Sequence, residues 1–311
     1  MQESSIGSRG VAWIVGSINR DIVGYVARHG RPGETVLGSR SAFYPGGKGA
    51  NQAVAVARLQ GDARLIGCVG ADAFGAEMTA FLQDEGVDVR GVAIVPSVAT
   101  GVALIVVDAQ SENIITVLPG ANGEWPSDWP EGDGVGVFDP KPGDVVAAQL
   151  EIPMAVVAAA FARARSVGVM TVLNPSPYGE AVQALLALAD VVVVNELELG
   201  QVTGAAVDAR DDRALLGAAS RLFERGVMAG VVTLGARGAA VVERAGVTRV
   251  EGIKVVARDT TGAGDCFTGA VVAELLCGVG LADAVRFAVR AAAMSVMRDG
   301  AAVSFPRRAE L

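Results

Sequence analysis

Four short apolar runs decide the fold of this chain: DVVAAQL (144–150), VMTVLN (169–174), DVVVVN (190–195) and GVVTLG (230–235). Each run contains valine pairs or β-branched neighbours, and none alternates with polar residues as a half-exposed strand would. Runs of this kind are typical of strands that are buried on both faces. Segments with helical spacing separate the runs, and strands that alternate with helices predict right-handed crossovers and a parallel sheet.

The same pattern extends to the N-terminal part of the chain. VAWIVG (11–16) and ARLIGCVG (63–70) predict two further strands, and a helix from Ala50 lies between them. We therefore expect one three-layer α/β/α domain with a parallel sheet over residues 1–311. The stretch WPSDWPEGDGVG (125–136) is rich in Pro and Gly and predicts a loop.

Two segments, at about 18–44 and 92–118, depart from this pattern. In the second segment, GVALIVVD (101–108) and NIITVL (113–118) flank a turn-like stretch, which predicts a β-hairpin. Inserted antiparallel strands in an α/β protein commonly form a lid or a dimer surface. We expect the two segments to form a small β-sheet lid, with irregular surface loops as the alternative.

Composition restricts the class of partner. The chain has 311 residues, of which 51% are apolar, so it has enough apolar side chains for a buried core and is not intrinsically disordered. A net charge of −8 argues against a broad basic surface, and we expect a small-molecule partner rather than nucleic acid. The sequence has no membrane-length apolar run, no signal-peptide pattern and no paired cysteine motif, which predicts a cytoplasmic protein that does not bind membranes. The 40 glycines are expected at turns and at backbone that faces a ligand.

DTTGAGD (259–265) is the strongest candidate for a functional motif, because a stretch with helical spacing follows it. Gly262, Ala263 and Gly264 then lie at a helix N-terminus, where free N–H groups and the helix dipole bind an anion without cationic side chains. Asp265 in the first turn can accept a hydroxyl proton while these amides stabilise a transferring phosphoryl group. A simple helix cap with a glycine turn is the alternative.

GGKGAN (46–51) also runs into a predicted helix, but it has neither the Walker A spacing nor the GxGxxG pattern of dinucleotide-binding proteins. Adjacent glycines before a lysine and an asparagine let a polyhydroxylated ligand approach the backbone while the side chains bond its hydroxyl groups. An ordinary strand-to-helix turn is the alternative.

Six motifs occur in a fixed order along the chain: GSINRD (16–21), GGKGANQA (46–53), NPSP (174–177), NELE (195–198), TLGARG (233–238) and DTTGAGD. This series resembles that of the ribokinase/PfkB family of carbohydrate kinases, and the resemblance covers residues 11 to about 306. It implies a ribokinase-like fold, ATP as the co-substrate, and a sugar hydroxyl that takes the γ-phosphoryl group. It also implies Asp265 as the general base and an anion hole formed by Gly262, Ala263 and Gly264.

The resemblance further implies a nucleotide and two kinds of cation. The implied nucleotide-binding residues are Asn195, Thr233, Gly235, Gly238, Gly264 and Val289. Val289 stands where relatives often have Asn or His near the adenine. Asn195 and Glu198 match a motif that organises Mg²⁺ largely through water. A monovalent cation, K⁺, is implied at an oxygen-only shell, which suits a hard cation, from Asp259, Thr261, Ser295, Arg298, Gly300 and Ser304.

For the acceptor, the resemblance implies sugar contacts from Asn19, Asp21, Gly47, Lys48, Asn51 and Glu151. Many relatives that act on hexoses, keto acids or nucleosides have other residues at the positions of Lys48 and Glu151. These two residues therefore point to D-ribose, with its primary 5-hydroxyl as the acceptor and ribose 5-phosphate as the product.

Other readings of the resemblance stay open. One is a kinase for another sugar or a nucleoside, such as deoxyribose, fructose, 2-keto-3-deoxygluconate or an adenosine-like substrate. Another is a non-catalytic regulator that binds a sugar or a nucleotide, although such a protein is expected to lose the base or the anion loop. A homodimer through the lid is also implied, because lid strands in this family often pair between subunits.

Overall fold

The computed structural model describes residues 10–110, 112–126, 129 and 138–311, so most of the loop predicted at 125–136 lies outside the described residues. In chain order, the strands are β1 (Val11–Val15), β2 (Asn19–Val26), β3 (Gly38–Gly46), β4 (Asp62–Gly70), β5 (Asp88–Val95), β6 (Gly101–Val107), β7 (Asn113–Leu118), β8 (Val145–Ala148), β9 (Met170–Leu173), β10 (Val191–Asn195), β11 (Ala229–Thr233), β12 (Gly238–Glu243) and β13 (Gly246–Glu251). The α-helices are α1 (Lys48–Arg58), α2 (Ala73–Asp84), α3 (Met154–Ser166), α4 (Gln183–Leu186), α5 (Glu196–Thr203), α6 (Asp212–Glu224), α7 (Ala263–Leu276) and α8 (Leu281–Ser295). In the described ranges, no helix combines the length and the apolar character that crossing a bilayer requires.

Nine of the strands form one sheet, in the order β13-β12-β11-β10-β9-β8-β1-β4-β5. From β11 to β5 all neighbouring strands are parallel, which confirms the predicted parallel sheet. β12 and β13 add an antiparallel edge beside β11. The four apolar runs that predicted the fold are β8, β9, β10 and β11, which lie side by side in this order.

Helices cover both faces of the nine-stranded sheet. In β8, the side chains of Val145 and Ala147 belong to one apolar cluster, and those of Val146 and Ala148 belong to another. Helices α1, α7 and α8 contribute to the first cluster, whereas α3 and α6 contribute to the second. A strand that is buried on both faces needs no polar alternation, which explains the continuous apolar runs. The three-layer α/β/α architecture is therefore confirmed.

A second, four-stranded sheet has the order β3-β2-β6-β7 and comes from the two segments that depart from the strand–helix pattern. β6 and β7 form the predicted hairpin, with Val107 opposite Asn113. Residues 92–95, which the sequence analysis placed in the second segment, belong instead to β5, because they pair with β4 in the main sheet. In the other segment, β3 continues to Gly46, two residues past the predicted end.

The carboxyl ends of the parallel strands meet at one edge of the main sheet. Beyond the ends of β1, β8 and β9 lie Ser17, Gln149 and Asn174, and β10 ends at Asn195. In open α/β sheets, ligands bind outside this edge. The polar residues at this edge therefore mark the candidate functional site.

Candidate active site

Asp265 lies in the first turn of α7 and is buried. Both of its carboxylate oxygens accept hydrogen bonds from side chains of α1. Asn51 Nδ2 donates to Oδ2 at 2.9 Å, and Gln52 Nε2 donates to Oδ1 at 3.2 Å. Burial raises the pKa of Asp265, and the charge of Glu151 adds to this rise, although Lys48 and the two amide donors oppose it. A raised pKa brings a carboxylate closer to the range in which it exchanges a proton at neutral pH.

A chain of buried amide side chains lies behind Asp265. Gln52 Oε1 accepts a hydrogen bond from Gln149 Nε2 at 2.7 Å, and Gln52 Nε2 lies 3.5 Å from Asn174 Oδ1. Asn174 Nδ2 donates to the carbonyl of Val193 at 2.9 Å. Gln52 and Asn174 lie within motifs of the sequence, but no role was predicted for them, and Gln149 was not predicted as a site residue. For Gln149 and Asn174 the sequence did contain a signal, because each is a polar residue directly after a buried strand.

The N-terminus of α7 carries the proposed anion hole. Gly262 precedes the helix in a left-handed conformation, with φ of 73°, which favours glycine. The N–H group of Ala263 donates to the Thr260 carbonyl at 3.2 Å, so it is engaged in this conformation. The N–H groups of Gly264 and Asp265 lie in the first turn, where helix geometry supplies no carbonyl partner. The loop therefore presents amides and the positive end of the helix dipole at the edge of the sheet.

Three charged side chains share the buried region around Asp265. Burial raises the pKa of Asp21 to about 7, with further contributions from the charges of Glu151 and Asp265. Burial alone would lower the pKa of Lys48, but the surrounding carboxylates, Asp265 first, raise it, so this lysine stays cationic. Glu151 Oε2 accepts hydrogen bonds from Ser17 Oγ at 2.6 Å and from the Lys48 backbone N–H at 3.1 Å. The cluster offers both acceptors and donors to a polyhydroxylated ligand.

Asn19 lies on the same face of β2 as Asp21, two residues earlier, and both are buried. Asn19 Oδ1 accepts a hydrogen bond from Asn122 Nδ2 at 2.7 Å, and Asn122 also bonds the backbone N–H and carbonyl of Ile18. Gly47 has φ of 89°, and a Cβ atom there would lie 2.7 Å from the Asn19 backbone nitrogen. All six residues predicted to bind the sugar thus lie in one cluster beside Asp265. Asn122, whose side chain bonds Asn19 and the backbone of Ile18, was not predicted from the sequence.

Two cavities that share residues run along the edge of the sheet from Lys48 and Asp265 to α8. The first has a volume of about 170 Å³ and a mainly polar lining that includes Lys48, Asn195, Glu198, Thr233, Thr260, Ala263, Gly264 and Asp265. The second has a volume of about 440 Å³ and a mainly apolar lining that includes Thr233, Gly235, Gly238, Val255, Thr260, Ala263, Gly264, Phe267, Val289 and Ala292. A polar end beside a helix N-terminus and an apolar end suit the phosphates and the base of a nucleotide.

Asn195 and Glu198 form a reciprocal cap at the start of α5. The Glu198 N–H donates to Asn195 Oδ1 at 2.8 Å, and the Asn195 N–H donates to Glu198 Oε2 at 2.9 Å. This is the capping-box arrangement, so the motif has a structural role in addition to the predicted one. The second carboxylate oxygen of Glu198 is the acceptor that the cap does not use. Both residues also line the smaller, polar cavity.

Asp259 anchors the loop that leads into α7. Its Oδ1 accepts a hydrogen bond from the Thr261 N–H at 2.9 Å, and its Oδ2 accepts one from the Gly300 N–H at 2.8 Å. Burial raises the pKa of Asp259, but these hydrogen bonds outweigh it and bring the pKa below its usual value. The hydroxyl groups of Ser295 and Ser304 are buried and donate to nearby backbone carbonyls.

The residues predicted to hold K⁺ offer one carboxylate, at Asp259, and otherwise backbone carbonyl and hydroxyl oxygens, a set that suits a monovalent cation better than a divalent one. Among the described residues there is no group of three or more His, Cys, Asp or Glu side chains that could hold a metal ion. A single ionised carboxylate with backbone carbonyls and hydroxyl oxygens is a hard, weakly charged donor set. The carbonyl of Ser295 already accepts a hydrogen bond from the Arg298 N–H at 3.1 Å, and a carbonyl oxygen has a second lone pair.

The fold and this two-sided site define a class of carbohydrate kinases. The family model described as "pfkB family carbohydrate kinase" matches residues 12–308, and the chain belongs to this family. The family resemblance seen in the sequence motifs is thereby confirmed.

Particular members of the family are similar to this chain over nearly its whole length. The ribokinase of Haemophilus influenzae is 38% identical over 298 residues, which cover 96% of this chain and 95% of that protein. The deoxyribokinase of Salmonella typhi is 33% identical over 294 residues, which cover 94% of each protein. The structure of Arabidopsis thaliana ribokinase complexed with ribose and ATP has a TM-score of 0.86, with 29% identity and 97% of each chain covered.

Proposed function

We propose that this chain transfers the γ-phosphoryl group of ATP to the 5-hydroxyl group of D-ribose and releases ribose 5-phosphate and ADP. The observation that carries the proposal is the position of Asp265. It lies between the sugar-side cluster of Asp21, Lys48 and Glu151 and a helix N-terminus that opens on the two cavities. The similarity to ribokinases, one of them complexed with ribose and ATP, supports the choice of both substrates.

In the proposed reaction, Asp265 accepts the proton of the 5-hydroxyl group as the oxygen attacks the γ-phosphorus. The bond from that phosphorus to the bridging oxygen of ADP breaks as the new bond forms. The amides of Gly262, Gly264 and Asp265, with that of Ala263 when its contact with the Thr260 carbonyl opens, bind the charge on the transferring group. Lys48 stays positively charged beside Asp265 and Glu151 and also stabilises the charge on the transferring group.

Two cations complete the proposal. Mg²⁺ would be held by water and the ATP phosphates beside Asn195 and Glu198, where it neutralises phosphate charge. K⁺ would be held at Asp259 and Thr261, with oxygens of Ser295, Arg298, Gly300 and Ser304, where it fixes the loop before α7. The Glu198 oxygen that the cap does not use, and the Asp259 carboxylate that joins the backbone of Thr261 to that of Gly300, support these assignments.

The four-stranded sheet is proposed as the lid over the sugar and as the dimer surface. The inner face of β2 carries Asn19 and Asp21, so closure of this sheet would exclude water that competes as acceptor. The opposite face of the sheet exposes a row of large apolar side chains: Phe43, Leu104, Val106, Ile114 and Leu118. Contiguous exposed apolar residues mark interaction surfaces, which supports a homodimer through the lid. Three free thiols support a reducing location such as the cytoplasm.

A panel of acceptors tests the proposal. Release of ADP is followed with ribose, deoxyribose, fructose, 2-keto-3-deoxygluconate and adenosine at saturating Mg·ATP. We expect ribose to give the highest kcat/KM, and Asp265→Asn to lower kcat by about 10²-fold or more with ribose. Deoxyribose is the strongest competitor because a deoxyribokinase is among the similar proteins. A higher kcat/KM with any other acceptor would replace ribose in the proposal, and no turnover with any of them would favour a regulator.

A further inference from the structure

We infer that Gln52 is a positioning residue for Asp265. Gln149 enables Gln52 to act in this way, because it fixes which end of the Gln52 amide faces the Asp265 carboxylate. This inference rests on the proposed kinase reaction, because it concerns the group that accepts the sugar proton. The two glutamines are buried, come from different elements and form a relay Gln149–Gln52–Asp265 with distances of 2.7 Å and 3.2 Å.

The orientation of the Gln52 amide decides the interaction. Its Nε2 donates to Asp265 Oδ1, so the oxygen end of the amide must lie on the other side, where Gln149 Nε2 donates to it. If the Gln52 amide turned over, its oxygen would face a carboxylate oxygen and its NH₂ group would face the NH₂ group of Gln149. Both contacts would be repulsive. Gln149 thereby holds Gln52 as a donor without touching Asp265 itself.

The relay leaves one buried acceptor atom without a hydrogen-bond partner among the described residues. Gln149 Oε1 is buried, and within the described part of the chain it has no hydrogen-bond partner. A buried acceptor without a partner destabilises the folded state. Gly16 leaves room for that oxygen, since a Cβ atom at residue 16 would lie 2.0 Å from it. An apolar residue at position 149 would avoid the cost, so the amide is better explained by what its other end does to Gln52.

The charges around Asp265 explain why a donor is needed there. Asp21 on β2 and Glu151 after β8 are carboxylates that disfavour a second ionised group, whereas Lys48 on α1 favours it. The adjacent Cys266 thiol stays neutral, because burial raises its pKa to about 12. Among these opposing charges, the hydrogen bonds from Asn51 and Gln52 stabilise the ionised form and fix both oxygens. Loss of the Gln52 donor therefore changes both the protonation of Asp265 and the orientation of its carboxylate.

Three variants test the relay. Gln52→Met removes the donor with little change in volume. Gln149→Glu leaves Gln52 in place but replaces the donor to Gln52 Oε1 by a carboxylate acceptor, so the Gln52 amide can donate to Asp265 only against a repulsive contact at its other end. Gln149→Met only releases the constraint. We expect kcat to fall about tenfold or more in Gln52→Met and Gln149→Glu, and less in Gln149→Met, with ribose KM changed by less than roughly threefold.

Two readouts separate positioning from a merely structural role. The acidic limb of the pH profile of kcat should move to higher pH in Gln52→Met and Gln149→Glu, because the donor to the ionised base is removed in the first variant and weakened in the second. Gln183→Met is the matched control, since Gln183 is another partly buried glutamine that donates to a backbone carbonyl, at Val202, and lies outside the relay. It should leave kcat and the pH profile unchanged. Melting temperatures show whether each variant is folded.

A titration without turnover makes the inference independent of the proposed function. In protein labelled with ¹³C at aspartate carboxyl carbons, the Asp265 resonance is assigned by its loss in Asp265→Asn. Its midpoint should rise in Gln52→Met and Gln149→Glu, whether or not ribose is the substrate. If wild-type protein turns over no acceptor, the proposed function fails and this titration still decides the relay. Unchanged midpoints in both variants would overturn the inference.

Discussion

The carboxylate of Asp21 lies directly against the backbone of Gly46. A Cβ atom at residue 46 would lie 2.1 Å from Asp21 Oδ1 and 2.3 Å from its Cγ. The two residues belong to the neighbouring antiparallel strands β2 and β3. The first glycine of GGKGAN therefore makes room for the Asp21 carboxylate.

Gly46→Ala is expected to displace the Asp21 side chain and to weaken sugar binding. The added methyl group would overlap both carboxylate oxygens, so Asp21 must leave its position. We expect the ribose KM to rise about tenfold or more while the ATP KM changes little, since neither Gly46 nor Asp21 lines the two cavities assigned to the nucleotide. Gly24→Ala on the same β2 strand is the control, because no described atom lies within 4 Å of its Cβ position. Equal ribose KM values for the two variants would contradict this role.

Sugar binding should strengthen as pH rises through about 7, the pKa of Asp21 raised by burial and the neighbouring carboxylates. Only the ionised carboxylate accepts hydrogen bonds through both oxygens, whereas the protonated form spends one oxygen on its own hydrogen. Calorimetric titration with ribose between pH 5.5 and 8.5, a range set around that pKa, measures the effect. Asp21→Asn should bind more weakly at every pH and lose the pH dependence. A ribose affinity that stays constant across this range would show that the ionisation of Asp21 does not control sugar binding.

The same raised pKa predicts that Asp21 destabilises the free protein at high pH. The pKa of Asp21 is about 7 in the folded state and 3.8 ordinarily. The contribution of protonated Asp21 to the stability of the folded state is therefore fully present below pH 3.8 and is lost as pH rises through about 7. Asp21→Asn removes the ionisation, so its melting temperature should exceed that of the wild type by several degrees at pH 8, where the penalty is at most about 4 kcal/mol. At pH 5 the difference should shrink. Equal melting temperatures at both pH values would contradict the buried charge.

The order of the main sheet could be predicted only in part from sequence. β8 to β11 were predicted because burial on both faces leaves continuous apolar runs. The antiparallel strands β12 and β13 were not. β13 is the edge strand, with β12 as its one partner and with only Val250 buried, whereas β12 is buried between β11 and β13. The start of the second segment was misplaced because Val92 continues a strand whose partner, β4, lies about 25 residues earlier in the chain.

Within the site, residues in contiguous glycine-rich motifs were predictable, and residues that act through distant partners were not. Asp265 and Asn51 were named from their motifs, although they are brought together only by the packing of α1 on α7. Gln149 and Asn122 lack a local motif, and each acts on a side chain about a hundred residues away, at Gln52 and Asn19 respectively. Single-sequence patterns carry no information on such pairs.

Thiol reagents should modify Cys277 alone in the folded protein and leave activity intact. Cys277 is exposed, whereas Cys68 and Cys266 are buried and burial raises the pKa of each thiol to about 12. The thiolate is the reactive form, so these two cysteines stay unreactive even though Cys266 adjoins Asp265. Iodoacetamide treatment followed by mass spectrometry measures the sites, and Cys277→Ser should abolish labelling. Rapid loss of activity with label at Cys266 would show that α7 opens in solution.

K⁺ should stabilise and activate the protein through Asp259. A cation that binds only the folded state raises its stability by about 1.4 kcal/mol at ten times its dissociation constant, which appears as a higher melting temperature in KCl than in tetramethylammonium chloride. Asp259→Asn replaces one charged oxygen by an amide NH₂ group, so it should lose this difference and the rate increase together. Asp283→Asn is the control, because Asp283 is an exposed carboxylate that pairs with Arg286 on α8. If the wild type melts and turns over equally in both salts, the loop before α7 is fixed by the hydrogen bonds of Asp259 without a cation.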